Sequence, residues 1–143
     1  MLDSKNLLLE NQLCFPIYAT SRLITRLYKP LLNEIGLTYP QYLVMLTLWK
    51  QDSQRVSDIG DQLFLKTNTI TPLLHKMKDK GLVEKAPNPE DERTVLIQLT
   101  KKGNLLREKA AEIPTKLANS SNIPSEELMQ LKNGMWKMLK YLH

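Results

Sequence analysis

Two short runs of apolar side chains lie between residues 56 and 80, separated by the polar segment Lys66-Thr67-Asn68-Thr69. Apolar residues at steps of three and four share one face of an α-helix, so each run predicts a short amphipathic helix. The side-chain oxygens of the polar segment can accept hydrogen bonds from free backbone N–H groups and start the second helix. Two helices joined this closely predict a helix-turn-helix. The apolar positions are Val56, Ile59, Gly60 and Leu63, then Ile70, Leu73, Leu74 and Met77.

The segment after the second helix has the pattern of a β-hairpin. Gly81-Leu82-Val83 ends the helix and begins a strand. Val95, Ile97 and Leu99 alternate with Thr94, Leu96 and Gln98, which predicts a half-buried strand. The long polar segment between the two strands forms the tip, and Arg55-Val56 is expected to add a short third strand. A helix-turn-helix followed by such a hairpin is a winged helix.

The second helix and the hairpin tip carry polar side chains suited to DNA. A helix-turn-helix sets its second helix into a major groove, where short polar groups contact base edges and phosphates. A polar helix face is more often only solvated, and it is the wing that favours DNA binding here. Near the wing tip, Arg93 can enter a minor groove. The candidate DNA-binding residues are Lys66, Thr67, Asn68, Thr69, Thr71, His75, Lys76, Asp91 and Arg93.

Two helices are predicted before this lobe. Apolar positions at helical spacing run from Phe15 to Ile35, and Pro16 requires the helix to begin at or just before it, or to bend there. Pro30 allows a further bend, and Gly36 ends the helix. Thr38 is expected to cap the next helix, with Pro40 in its first turn. Its buried face is assigned to Tyr42, Leu43, Leu46 and Trp49. Residues 1–13 form a loose or short helical lead-in.

The C-terminal part predicts two more helices. Thr100 caps one that runs from Lys101 towards Leu117, and residues 119–122 form a polar loop. A last helix starts at Ser125 and carries a narrow apolar row, as in helices that pack on other helices. The row comprises Leu128, Leu131, Met135, Met138 and Leu142.

The fold class is therefore mainly α with a small β-wing: a winged helix-turn-helix flanked by N- and C-terminal dimerisation helices. The chain is treated as one domain, 1–143, with dimerisation helices in 1–36 and 101–143 and a DNA-binding lobe in 37–100. Two long flanking helices cannot both hide their apolar faces on so small a lobe, so an isologous homodimer is expected. The alternative is that these helices only complete the protomer's own core.

Composition narrows the function classes. The 143 residues carry 20 basic and 15 acidic side chains, a net charge of +5, and the pI is near 9.3. This modest basic excess suits a polyanionic partner. The sequence has no secretory leader and no apolar run of roughly 18 residues, so a cytoplasmic protein without a membrane partner is expected. One cysteine offers neither an internal disulfide nor a zinc cluster, and no cofactor or metal is predicted.

The order of these elements resembles the MarR family of dimeric transcription regulators. The segments Asp91-Glu92-Arg93 and Leu99-Thr100-Lys101-Lys102-Gly103 are similar to that family's D-x-R wing and L-T-x-x-G helix start. Four further segments resemble the branch that senses organic hydroperoxides through one N-terminal cysteine. They are Gln12-Leu13-Cys14-Phe15, Tyr28-Lys29-Pro30-Leu31-Leu32, Leu37-Thr38-Tyr39-Pro40-Gln41-Tyr42 and Thr69-Ile70-Thr71-Pro72-Leu73-Leu74.

The resemblance implies that Cys14 is the sensing thiol and that Tyr28 and Tyr39 contact it from the partner subunit. A thiolate attacks peroxide, and phenolic O–H donors or a helix N-terminus stabilise that anion. Oxidation gives a sulfenic acid, and without a second cysteine a small cellular thiol is the natural partner for a mixed disulfide. The added bulk at the subunit boundary would separate the recognition helices and release an inverted-repeat operator. The expected role is a repressor.

Three other interpretations remain open on the residues alone. A regulator of the same fold could be gated by a small aromatic ligand in the dimer cleft. A thiol peroxidase also needs an activated cysteine, but it requires a nearby cation and usually a resolving thiol, and only Arg22 is close in sequence. A purely architectural DNA-binding protein would respond to no inducer. We therefore predict a regulator and not an enzyme.

Overall fold

The computed structural model describes residues 4–143. Two 3-10 helices, Ser4–Leu7 and Leu9–Asn11, form the predicted short helical lead-in, whose residues 1–3 lie outside the described part. The remaining elements are α1 Cys14–Asn33, α2 Tyr39–Lys50, β1 Gln54–Arg55, α3 Val56–Leu63, α4 Thr67–Asp79, β2 Val83–Pro87, β3 Val95–Leu99, α5 Lys101–Ala110, α6 Ile113–Ser121 and α7 Ser125–Leu142. This order confirms the predicted mainly helical fold with a small β-wing.

The wing is a three-stranded antiparallel sheet in the order β1-β3-β2. Its long hairpin pairs Val83 with Leu99 at the base and Pro87 with Val95 near the tip. The short third strand is confirmed at Gln54–Arg55, one residue earlier than predicted, with Gln54 opposite Ile97. The sheet therefore starts directly before α3 and ends directly before α5, which fixes the wing to the helix-turn-helix.

The core lies where α2, α3 and α4 meet the sheet. Its fully buried side chains come from these three helices, from β3 and, at Leu32, from α1. Trp49 ties α2 to the start of α5, because its indole N–H donates to the carbonyl of Gly103 at 3.0 Å. The winged helix is thus one packed body. The largest buried side chains are Leu32, Met45, Leu48, Ile59, Ile70, Met77, Ile97 and Val44.

The predicted helix ends follow local chemistry. Thr38 caps α2 through its hydroxyl, which accepts from the N–H of Gln41, while the Gln41 side chain accepts from the N–H of Thr38 at 3.1 Å. Thr100 caps α5 in the same way, accepting from the N–H of Gly103 at 3.0 Å. Helix α1 begins at Cys14, so Pro16 falls in its first turn as predicted, and the helix runs through Pro30 unbroken.

Three assignments of helix bounds and of burial are wrong. The helix predicted from Lys101 towards Leu117 is two helices, since α5 ends at Ala110 and α6 begins at Ile113 with Pro114 in its first turn. The polar loop assigned to residues 119–122 is mostly helical, because α6 continues to Ser121. Leu46 was assigned to the buried face of α2 but is 43% exposed. Val44, Met45 and Leu48 are buried in its place, because α2 is surrounded on almost every side.

The two longest helices leave much apolar surface exposed. Only Leu32 is buried along the 20 residues of α1, and no residue is buried along α7, whose whole length is described. None of the helices in residues 4–143 is long and apolar enough to cross a membrane. The exposed apolar side chains of these two helices include Phe15, Ile17, Leu23, Leu131, Trp136, Met138 and Leu142.

Candidate DNA-binding surface and thiol site

Helix α4 presents its polar side chains to solvent as the spacing predicted. Ile70, Leu74 and Met77 anchor it in the core, and the predicted recognition residues from Lys66 to Lys76 are exposed. The predicted side-chain cap is wrong, because the capping residue is Lys66 and no side chain accepts from the first turn. The N-terminal end of the helix therefore keeps a positive potential open to an anion such as a phosphate.

Pro72 does not interrupt this helix. It leaves the Asn68 carbonyl without its usual N–H donor, yet α4 is continuous from Thr67 to Asp79. The Thr71 hydroxyl donates back to the Thr67 carbonyl at 2.9 Å, so its oxygen is available to accept. The ring of Pro72 is exposed, on the same helix as the recognition residues.

The turn between α3 and α4 is held by close backbone packing. Phe64 adopts a left-handed conformation with φ 56°, and the N–H of Leu65 donates to the carbonyl of Gly60 at 2.9 Å. A Cβ on Gly60 would lie 2.6 Å from the Leu65 carbonyl oxygen. Only glycine allows α3 to approach the turn this closely, and this contact sets the start of the recognition helix.

The wing tip is organised by Asn88, which sequence reasoning did not single out, and by the predicted residues Asp91 and Arg93. Asn88 is 5% exposed, and its side-chain amide donates to the Thr94 hydroxyl at 2.9 Å while its oxygen accepts from the N–H of Glu90 at 3.0 Å. Asp91 accepts from both the N–H and the Nε–H of Arg93, at 3.1 and 3.3 Å. The side chain of Arg93 is 91% exposed, so the tip presents it to the surroundings.

Cys14 is the first residue of α1 and is exposed. No side chain caps this helix start, where Cys14 is the first residue. A helix N-terminus carries a partial positive charge, and Cys14 lies at this end of α1. The predicted placement of Cys14 at the positive end of a helix is thus what the backbone shows.

Tyr28 and Tyr39 form the centre of an aromatic cluster. Their ring centroids lie 5.0 Å apart, and Tyr42 lies 5.9 Å from Tyr28. Burial raises the pKa of Tyr28 to about 12, with further contributions from Tyr39 and Tyr42, and burial likewise raises the pKa of Tyr39. Both phenols therefore remain protonated at neutral pH and can act as O–H donors.

The tyrosine pair cannot meet the cysteine of its own chain. Cys14 and Tyr28 are both in α1, fourteen residues apart, and a helix rises 1.5 Å per residue, which separates them by about 21 Å. The Tyr39 ring packs against that of Tyr28 at an angle of 54°, so Tyr39 lies near the same end of α1. Within one protomer, the structure therefore does not bring together the three predicted redox residues.

Among residues 4–143, no cluster of three histidine, cysteine or carboxylate side chains could hold a metal ion. His75 stands exposed on α4, and His143 contacts the ring of Phe64 at 5.0 Å between centroids. The two histidines therefore serve no common site.

Comparison with known proteins assigns the family. The family described as "Transcriptional regulator SarA/Rot" matches residues 26–110, which span the helix-turn-helix and the wing. The chain belongs to the SarA/Rot family of transcriptional regulators. The predicted resemblance to MarR-type winged-helix regulators is thereby confirmed.

Several known proteins are similar to this chain over nearly its whole length. The organic hydroperoxide resistance transcriptional regulator of Bacillus subtilis is 47% identical over 135 residues, covering 94% of this chain and 92% of its own. Reduced AbfR bound to DNA, a protein of Staphylococcus epidermidis, is 36% identical with a TM-score of 0.77 and covers 98% and 97% of the two chains. A variant of Escherichia coli MarR complexed with operator DNA has a TM-score of 0.82 at 24% identity, covers 96% and 99%, and shares the fold.

Proposed function

We propose that this chain is a homodimeric, operator-binding repressor that releases DNA when an organic hydroperoxide oxidises Cys14. The hydroperoxide-resistance regulator of Bacillus subtilis and the DNA complexes of AbfR support this assignment. The observation that carries it is the separation of about 21 Å between Cys14 and Tyr28 along α1. The phenolic O–H donors of Tyr28 and Tyr39 lie near the other end of α1 from Cys14 of the same chain. Only Cys14 of a second copy could reach them.

DNA binding is assigned to the exposed surface of α4 and the wing tip. Lys66, Thr67, Asn68, Thr69, Thr71, His75 and Lys76 would face the major groove, while Arg93, oriented by Asp91, would contact the minor groove. In a two-fold dimer the two recognition helices read half-sites about one helical turn apart. The operator would then be an inverted repeat of double-stranded DNA. The protein would act where the chromosome is, in the cytoplasm.

Dimerisation is assigned to α1 with α7. Both helices expose apolar side chains that a protomer of this size cannot cover itself, such as Leu23, Leu131 and Trp136. An isologous pairing would place the N-terminus of one α1 against the C-terminal half of the other. Tyr28 and Tyr39 would then donate hydrogen bonds to Cys14 of the second copy, and the helix N-terminus would add to the stabilisation of its thiolate.

The chemistry is a stoichiometric oxidation. The Cys14 thiolate attacks the distal oxygen of the hydroperoxide, the O–O bond breaks, and a proton restores the leaving alkoxide as an alcohol. The sulfenic acid then condenses with a small cellular thiol, forming an S–S bond and releasing water. With one cysteine per chain there is no internal resolving thiol for turnover, so the role is a sensor and not a peroxidase.

Release would follow from the size of the new group. AbfR has been observed on DNA both reduced and overoxidised, and also in a disulfide-formed state. If the present chain behaves alike, adding oxygen atoms alone would leave the operator bound, whereas a mixed disulfide forces the tyrosine cluster and the second α1 apart. The recognition helices would then no longer match the spacing of the half-sites.

The test is operator binding by wild type and Cys14→Ser, measured by fluorescence anisotropy before and after cumene hydroperoxide with a small thiol. We expect equal affinity when reduced, release of wild type on oxidation, and no release of the variant. Intact mass should show one thiol added to wild type and no covalent dimer. If Cys14→Ser leaves DNA as readily as wild type, the redox assignment is wrong, and release of the variant by an aromatic effector would support ligand gating.

A further inference from the structure

The lead-in before α1, residues 4–13, is structured but buries none of its side chains. Its two 3-10 helices contain no buried residue, and every residue of the segment is exposed. Leu7, Leu9 and Leu13 are 84%, 57% and 71% exposed. Several large apolar side chains that are exposed together, directly before Cys14, indicate a surface that another part of the assembly covers.

Side-chain amides hold the lead-in in one shape. The amide of Asn11 donates to the carbonyl of Lys5 at 2.7 Å. The amide of Gln12 donates to the carbonyls of Asn6 and Leu8, at 2.6 and 3.0 Å. These bonds fix the backbone although no apolar group is buried, so the leucines are presented in a defined arrangement. A segment that is already ordered loses less conformational entropy when it binds.

A groove lies towards the other end of α1, where the chain turns into α2. Its volume of about 530 Å³ is large enough for more than one leucine side chain. Leu32, Leu37 and Tyr39 are among its lining residues. The groove, called here the α1–α2 groove, therefore combines apolar surface with positive charge. Its cationic lining residues are Arg22, Arg26 and Lys29.

Within one protomer the lead-in cannot reach the end of this groove at Lys29. The Cα atom of Glu10 lies at most about 14 Å from that of Cys14, four residues along the chain. Along α1, about 22 Å separates Cys14 from Lys29. A second copy has no such limit. The proposed dimer places Cys14 of one copy against Tyr28 and Tyr39 of the other, so the lead-in before that Cys14 emerges beside Tyr39, in the lining of the groove.

The two surfaces also carry opposite charges where they would meet. Glu10 is the only acidic residue among residues 4–13, and Lys5, the only basic one, lies further from Cys14. Lys29 lines the groove. Glu10 and Lys29 are exposed, and neither forms an ion pair within 4 Å in the part of the chain that the structure describes. Pairing between subunits would therefore join two charges without breaking an ion pair inside either protomer.

We propose that the lead-in of each subunit docks into the α1–α2 groove of the other, with Glu10 paired to Lys29 and the leucines covering the apolar lining. The inference rests on the proposed function, because that function brings Cys14 of one copy to the tyrosine pair of the other. The docked segment ends directly at Cys14, so it holds the thiol beside the two phenols. The lead-in is thus a positioning segment that each subunit contributes to the thiol site.

Disulfide trapping tests this contact directly. Cys14→Ser removes the natural thiol, and Glu10→Cys with Lys29→Cys places one new thiol on each surface. A disulfide requires Cα atoms within about 7 Å, which the length of α1 excludes inside one chain. A bond between the two positions must therefore join two subunits. After mild oxidation with diamide, we expect most of the protein to run as a covalent dimer in non-reducing electrophoresis.

Matched variants in the same Cys14→Ser chain serve as controls. Either new cysteine alone should give little covalent dimer, and so should Glu10→Cys with Lys50→Cys, at the exposed end of α2. Equal cross-linking by the single variants would overturn the proposal. A covalent dimer through Glu126→Cys with Lys29→Cys, and none through positions 10 and 29, would assign the groove to the first turn of α7 in place of the lead-in.

Charge reversal gives a second, independent measurement. Glu10→Lys and Lys29→Glu should each raise the dissociation constant of the dimer by about fivefold, because a two-fold dimer contains the pair twice. The chain with both reversals should regain the wild-type value, since the opposite charges then face each other again. Sedimentation equilibrium measures the three constants. A double reversal that dissociates as readily as the single ones would overturn the pairing.

Failure of the docking can be distinguished from failure of the proposed function. Light scattering of the Cys14→Ser chain with Glu10→Cys and Lys29→Cys shows whether it is dimeric before oxidation, and release of the operator from wild type by cumene hydroperoxide tests the sensor. A dimer that forms no covalent bond, together with normal release, overturns only the docking. A covalent dimer, together with a wild type whose Cys14 does not react with hydroperoxide, supports the docking and contradicts the proposed function.

Discussion

The side-chain ammonium of Lys80 donates a hydrogen bond to Oε1 of Gln41 at 2.8 Å and a second to the carbonyl of Gly36, also at 2.8 Å. Lys80 directly follows the recognition helix, and Gln41 belongs to the capped start of α2, two residues after Tyr39. Gln41 is 2% exposed, so the acceptor is fixed. The end of α4 is thus tied to the turn that carries the tyrosine pair.

Replacing Lys80 by Met should lower the free energy of unfolding by about 1 kcal/mol, because the buried Gln41 side chain and the exposed Gly36 carbonyl lose a charged donor. Operator affinity should fall as well, since the orientation of α4 is less fixed. Urea denaturation and anisotropy titration measure the two effects. Lys78→Met, on the same helix and exposed, is the matched control and should change stability little. Equal losses in both variants would show that the Lys80 link is not structural.

Gly60→Ala should destabilise the protein by about 2 to 4 kcal/mol, because the new methyl group meets the Leu65 backbone at the helix-turn-helix turn. A backbone atom cannot move aside as a flexible side chain can. Gly134→Ala is the control, since a Cβ there meets nothing within 4 Å and lies inside α7. That substitution should stabilise by about 0.5 to 1 kcal/mol through helix propensity. Thermal unfolding of the two variants should therefore shift in opposite directions.

Arg93→Ala should weaken operator binding by about 1 to 3 kcal/mol, because it removes the exposed cation at the wing tip. Asp91→Asn should have a smaller effect in the same direction, by loosening the arginine that it orients. Lys76→Gln should lower the slope of log affinity against log salt by about one. Anisotropy titrations over a range of salt concentrations measure all three. Unchanged affinity in Arg93→Ala would mean that the wing does not touch DNA.

The raised pKa of Tyr28 predicts that the folded protein loses stability in alkaline solution. Its pKa is about 12 in the folded protein and near 10 when unfolded, so the folded state holds the phenolic proton more tightly. The resulting stabilisation is complete below pH 10 and is lost as the pH rises towards 12. Wild type should therefore lose about 1 to 2 kcal/mol more than Tyr28→Phe over this range, after allowance for partial solvent screening. Tyr18→Phe, at an exposed position, should follow wild type.

The same tyrosine variants test the sensor. Tyr28→Phe or Tyr39→Phe removes one phenolic donor while keeping the ring, so basal operator affinity should change little. Oxidation of Cys14 in the dimer should slow, because the thiolate loses one hydrogen bond. Stopped-flow measurement of hydroperoxide consumption at neutral pH gives the rate. A rate equal to that of wild type in both variants would show that these phenols do not serve the thiol.

The parts of this fold that local chemistry dictates were predictable from sequence. The side chains of Thr38 and Thr100 cap the starts of α2 and α5, and Gly81 follows the end of α4 with φ 72°. The alternation of apolar and other residues around Ile97 indicates a strand. The spacing of apolar residues could not predict the exposure of Leu46, because α2 is buried on nearly every side and has no single apolar face. Periodicity also ran one helix through Pro114, which has no N–H to donate to the carbonyl of Ala110, where α5 ends.

The candidate site was only partly predictable. The exposed face of α4 follows from its spacing, but the hydrogen bond from Lys80 to Gln41 joins residues 39 positions apart and has no local signal. Tyr42 was assigned to the core and not to the tyrosine cluster. The roles of Tyr28 and Tyr39 came from the family resemblance alone, because spacing along one chain cannot show a contact between two.

Leu131 is 40% exposed on α7 and belongs to the apolar row that we assign to the interface. Leu131→Glu should give monomers at micromolar concentration, because it would bury an unpaired carboxylate between subunits, and operator binding should be lost with the second half-site contact. Asn133→Glu, two residues along and also exposed, adds the same charge off the row and should remain dimeric. Light scattering after size-exclusion chromatography distinguishes the two.

If Leu131→Glu remains dimeric, the interface does not lie on this row of α7. A wild type that is monomeric at micromolar concentration would be more serious, because Tyr28 could then never reach a Cys14. The proposed sensor depends on that encounter, since about 21 Å of helix separates the two groups within one chain. Leu131→Glu should therefore be monomeric, and its Cys14 should be oxidised more slowly than that of wild type. A monomer whose Cys14 is still oxidised at the wild-type rate would contradict the assignment of Tyr28 and Tyr39.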